Sequence, residues 1–191
     1  MRARMALLQA GREFQVHEIV LRDKPAAMLA LSPKGTVPVL HLPDGQVLEQ
    51  SWDIMRWAFE PDDRDGWWRR AQSAENIALL EGNDGDFKRH LDRYKYPDRH
   101  AAEGLTREDH RAQAMTVLLM PLEQRLQERA YLGGDVPCAT DLAIFPFVRQ
   151  FAAVEPAWFA SQPLPALQAW LTAWLGSSLF ETCMVKLPAQ A

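Results

Sequence analysis

Two hydrophobic rhythms divide this chain, and the change between them limits its possible folds more than any single residue does. Up to residue 60, apolar residues either alternate as in strands or sit in short helical bursts between turn residues. Past residues 61–66, where Pro61, Asp62, Asp63, Asp65 and Gly66 cluster, the spacing is helical to the end. This order predicts an α/β unit over 1–60, a linker over 61–66 and an all-helical unit over 67–191.

In the first unit, Met5, Leu7 and Leu8 predict a short helix stopped at Gly11. Phe14, Val16, Ile19 and Val20 predict a strand, and residues 24–31 a turn or two of helix. A second strand is expected over 37–42, with Pro43, Asp44 and Gly45 turning it into residues 46–48. Ser51 reads as the N-cap of a helix over 52–59. In the second unit, helix is expected over 67–81, interrupted at Gly82, Asn83, Asp84 and Gly85, and again over 87–94 until Pro97. Thr106 and Asp109 resemble a capping box that opens a long helix to about Tyr131, bent near Pro121 and stopped by Gly133 and Gly134. Residues 139–153 predict a buried helix, and 164–175 the last, with Leu167, Trp170, Leu171 and Trp174 at helical spacing.

Composition narrows the function classes. A formal net charge of -4 over 191 residues gives no general attraction for a polyanion, and no basic stripe tracks a phosphate backbone. Nucleic acid is therefore not an expected partner. Cys138 and Cys183 cannot build a disulfide scaffold and lack zinc-ligand spacing, so no metal is expected and a reducing, cytoplasmic home is. No apolar run reaches 18 residues, so no membrane span is expected. His90, His100 and His110 fall ten apart, which suits neither one helix face nor a zinc helix, and they read as surface residues.

One segment carries a resemblance. Gly35-Thr36-Val37-Pro38-Val39-Leu40, then Asp44-Gly45, then Gln50-Ser51-Trp52-Asp53-Ile54, resembles the N-terminal domain of glutathione transferases of the bacterial, cytosolic type. Asp141, residues 164–175 and the run 86–96 are similar to the family's later helices. The resemblance implies a thioredoxin-like domain followed by a helical bundle, a homodimer, and glutathione as substrate. It implies a cis peptide before Pro38, with the Val37 backbone pairing the cysteinyl part of glutathione like a short added strand. It places Gln50 and Ser51 on the γ-glutamyl end and Lys34 on the glycine carboxylate. Phe87, Tyr94 and Tyr96 become candidates for the cleft that takes an electrophilic or disulfide small molecule. Asp141 becomes a capping residue that bonds back to amides near Cys138, a folding device.

The family also has an earlier strand and a turn whose Tyr, Ser or Cys activates the glutathione sulfur. No Tyr, Ser or Cys precedes Ser32 here, so that catalytic residue has no match and is left unassigned. The chain thus reads as truncated at its start, beginning inside the family's first helix. Two expectations follow. A complete form would conjugate glutathione to electrophiles or exchange thiols; alternatively, the chain is a non-catalytic binding or interaction protein on the same fold.

Overall fold

The computed structural model describes residues 1–100, 102 and 104–185. Its backbone divides into two compact units, Met1–Asp63 with Ser177–Ala191, and Arg64–Gly176.

In the first unit, α1 (Arg2–Gln9) ends where Gly11 takes a φ of 62°, a left-handed turn that lets the Arg12 N–H return to the Leu7 carbonyl at 3.0 Å. A two-residue hairpin follows: β1 (Leu40–His41) pairs antiparallel with β2 (Val47–Leu48), in the register Leu40 to Leu48 and His41 to Val47. Asp44 organises its turn by accepting the Gln46 N–H at 2.9 Å, beside Gly45 at φ 88°. Between α1 and the hairpin lies α2 (Ala26–Leu31), and after the hairpin comes α3 (Ser51–Phe59). Helices α1 and α3 pack together, with Met5 and Ala6 buried on one and Ile54, Met55 and Ala58 on the other. The C-terminal helix Ser178–Met184 adds Cys183 against α1.

Two expectations change here. The strand expected over 14–20 keeps its alternating exposure but has no ladder, only an isolated bridge between Val20 and Asp23. Alternation sets an extended path; a strand also needs a facing edge, and none of the described residues supplies one. Ser51 is the first residue of its helix rather than the N-cap. Gln50 holds the cap position, extended at φ -107° and ψ 133°.

In the second unit, α4 (Trp67–Ala71) starts after Gly66, and α5 (Ala74–Gly82) is capped by Ser73, whose hydroxyl accepts the Asn76 N–H at 3.2 Å. The expected interruption at 82–85 is present as a kink, where Gly85 leaves the helical backbone at φ -91° and ψ -107°. One π turn over Asn83–Phe87 links α5 to α6 (Lys88–Lys95). The capping box of α7 (Arg107–Ala114) is made by Thr106 and Asp109. A second π turn, Met115–Leu119, precedes α8 (Met120–Glu128) and lies where Pro121 lacks the N–H that would have bonded back into it. Then come α9 (Ala139–Ala152), α10 (Pro156–Ala160) and α11 (Pro165–Leu175).

The core of this unit is aromatic and leucine-rich. Phe87, Leu118, Leu119, Leu122, Leu142, Phe145 and Phe151 are all fully buried. Phe151 packs on Tyr94 at 4.9 Å and on Phe87 at 5.8 Å between ring centroids. Glu123 of α8, also buried, accepts the Leu167 N–H at 2.8 Å and so caps α11 from a neighbouring helix. The surface assignment of His90 and His110 is corrected: both are buried, and their Nδ1 atoms meet at 2.9 Å. Twenty residues apart in sequence, they become neighbours because α6 and α7 pack side by side. His100 is the partly exposed one, bonded to Asp92 at 2.7 Å.

Candidate functional site

The residues singled out for glutathione all lie in the first unit, on the loop after α2 and at the start of α3. Ser32 ends α2, is fully buried, and donates its hydroxyl to Glu49 Oε1 at 2.5 Å. Lys34 donates its ammonium to the other Glu49 oxygen at 3.0 Å. The Ser32 hydroxyl first, and Lys34 second, hold the Glu49 carboxyl below the usual carboxylate range. Glu49 therefore ties the 32–34 loop to the end of the hairpin. The same contact occupies Lys34, so a ligand carboxylate would share that ammonium with Glu49.

Gly35 then turns the chain in the left-handed region at φ 60°, with the Leu29 and Lys24 side chains close against it. The Val37–Pro38 peptide is cis. Val37 is 49% exposed, and among the described residues its N–H and C=O make no hydrogen bond. It sits three residues before β1, whose partner strand leads through Glu49 and Gln50 into Ser51. The Val37 backbone groups are thus left open in the loop that leads into the hairpin.

At the start of α3, no side chain caps the helix. Arg2, only 5% exposed, points its Nη1 at the Ser51 hydroxyl from 3.5 Å. A helix N-terminus, a serine hydroxyl and a sheltered guanidinium make a local positive spot suited to a carboxylate. Gln50 is exposed beside it. Neither Arg2 nor Glu49 is among the residues that the sequence singles out. Only the second had a visible signal, an acid next to the Gln50-Ser51 pair.

The remaining candidates lie in the second unit. Phe87 and Tyr94 are fully buried, and Tyr96 is 38% exposed, with the Arg99 guanidinium 4.2 Å above its ring. The Tyr94 hydroxyl donates to Glu155 Oε2 at 2.7 Å; burial and that carboxylate push its pKa up. Asp141 is buried at the start of α9. Its Oδ2 accepts the Cys138 N–H at 2.9 Å, and its Oδ1 accepts the Leu132 N–H at 3.0 Å and the Trp170 indole N–H at 2.8 Å. Both cysteines are buried: burial pushes the Cys138 thiol up to about 12 and raises Cys183 too, so neither is poised as a thiolate. Among the described residues no group of three or more His, Cys, Asp or Glu side chains could hold a metal, and no helix is long and apolar enough to cross a membrane.

Two family models match the chain. One described as the glutathione S-transferase N-terminal domain covers residues 1–60, and one described as the C-terminal domain covers residues 106–173. Solved structures share the fold. A ternary complex of BphK, a bacterial glutathione transferase, superposes with a TM-score of 0.76 at 22% identity, over 96% of this chain and 92% of that one. A glutathione transferase from Burkholderia graminis, with two glutathione molecules bound per subunit, gives 0.75 at 20% identity, over 95% and 81%. A sphingomonad glutathione S-transferase complexed with glutathione gives 0.72 at 20% identity, over 96% and 91%. No curated protein matches the chain significantly.

Proposed function

The chain belongs to the glutathione S-transferase family, and from that premise we propose that it binds glutathione on its first unit. The observation that carries this reading is the start of α3: a helix N-terminus without a side-chain cap, the Ser51 hydroxyl on its first residue, and the sheltered Arg2 guanidinium against that hydroxyl. The γ-glutamyl carboxylate goes there, taking the Ser51 hydroxyl and the first N–H groups of α3, with Gln50 on the amino end. The open N–H and C=O of Val37, ahead of Pro38, pair with the cysteinyl backbone as an added strand would. Lys34, shared with Glu49, meets the glycine carboxylate. Of the three residues assigned to the second-substrate cleft, Tyr96 has surface to offer, while Phe87 and Tyr94 would act by shaping its floor.

The chemistry proposed for this fold is transfer of the glutathione sulfur to an electrophile, in a cytoplasmic homodimer whose protomers comprise a 1–60 domain, a 61–66 linker and a 67–191 helical domain. Thiol exchange through a protein thiolate has no support in Cys138 or Cys183, both buried and both raised. That observation favours, as second reading, a protein that binds glutathione without turning it over. Calorimetry tests the binding claim. Ser51→Ala is expected to weaken glutathione by about 1.5–3 kcal/mol through loss of a charge-assisted bond; unchanged affinity would refute the assignment. Turnover of a chlorinated aromatic acceptor by the 191-residue chain would decide for transfer over binding alone.

A further inference from the structure

The second unit contains a separate hollow of about 420 Å³ that no step above uses, within the size range of small-molecule sites. It opens between the end of α4, the start of α5, the end of α8 and the turn at Leu132 and Gly133. Its lining includes Arg69 and Arg70 from α4, Arg125 and Arg129 from α8, with Glu75 and Asn76 of α5 beside them. Four guanidinium groups face one carboxylate there, in a chain whose formal net charge is -4.

Three of these arginines are under-compensated. Among the described residues, Arg70, Arg125 and Arg129 form no ion pair, and the buried Nε atoms of Arg70 and Arg125 have no acceptor. Arg70 spends one Nη on the Pro137 carbonyl at 2.8 Å, a neutral partner. Its other Nη and an Nη of Arg69 crowd the same point beside Gly66, where an added Cβ would meet them at 2.7 and 3.1 Å. Asn76, only 1% exposed, donates to the Arg70 and Leu132 carbonyls, yet its own Oδ1 accepts nothing. Like charges held close with unsatisfied donors cost stability, and a multiply charged oxyanion offers acceptors to several of them at once.

We propose that this hollow is a second ligand site, for a small molecule carrying a phosphate group on a hydroxyl-rich body. The phosphate takes the guanidinium groups. The volume exceeds what a bare ion fills, and the unpartnered Asn76 Oδ1 and the Glu75 carboxylate are acceptors suited to a body of hydroxyls. The site lies wholly in the helical unit, so it stands or falls independently of glutathione binding.

The test is calorimetric titration of the full chain with inorganic phosphate and with ribose 5-phosphate, at an ionic strength fixed with chloride. Saturable binding is expected, tighter for ribose 5-phosphate, and weakened at least tenfold by Arg125→Gln and by Arg129→Gln. Arg129 is exposed, so its variant carries the test even if the Arg125 variant fails to fold. Equal affinity for the two probes would overturn the hydroxyl-rich body. No saturable binding of either, or binding that the variants retain, would overturn the site.

Discussion

Asp141 ties three parts of the second unit together. Its two oxygens hold the Cys138 N–H at the start of α9, the Leu132 N–H in the preceding turn, and the Trp170 indole on α11. Removing it strands three donors in the core at once. Asp141→Ala is expected to cost about 3–5 kcal/mol in urea unfolding, since each unsatisfied buried donor costs about 1–3 kcal/mol and such losses do not add fully. Asp141→Asn should cost less, because one amide oxygen still accepts; a loss under about 1 kcal/mol for the alanine variant would contradict this role. At this scale the sequence was partly readable. The Thr106 and Asp109 box and the Gly11 stop could be read from neighbours in the chain, because capping is local. Arg2 with Ser51, and Glu123 with Leu167, could not, because their partners are brought together only by packing.

Glu155 acts between elements. It sits at the start of α10 and accepts from Tyr94 of α6 and from Arg111 of α7, with Arg107 of α7 at 3.5 Å. Arg111 also lies 4.3 Å above the Trp158 ring of α10. The Tyr94 hydroxyl first, and Arg111 second, hold the Glu155 carboxyl below its ordinary value. A carboxyl with a lowered folded pKa stabilises above the unfolded value of about 4.3 and loses that contribution as pH falls through the folded value. The stability gap between the natural chain and Glu155→Gln should therefore be largest near neutrality and shrink between about pH 5 and 3. Parallel curves across that range would remove the carboxylate from this role. Element boundaries show the same limit of local reading. Helical periodicity found α5, α6 and α9, but the two π turns and the pairing of α6 with α7 depend on which helices meet. That is why the histidines looked like surface, whereas the kink at Gly85 could be read from its own glycines.

On the scale of the whole molecule, the change of rhythm at 61–66 falls where the chain passes from Asp63 to Arg64 between the two compact units, but it gave no sign that the segment from Ser177 groups with the first. The proposed glutathione site rests on an ordered set, Val37-Pro38 with Gln50-Ser51, whose members flank the hairpin within one short stretch. Its charge balance was not legible in the sequence. Glu49 occupies Lys34, and Arg2 supplies a positive group at α3, so the site's electrostatics differ from a reading of lysine and serine alone. The central claim is that glutathione docks between the open Val37 edge and the start of α3. Amide NMR of the chain, titrated with glutathione, addresses it residue by residue. Saturable shifts of the Val37 and Ser51 amides with a common affinity are expected. Saturable shifts confined to the helical unit, with Val37 and Ser51 unmoved, would contradict it.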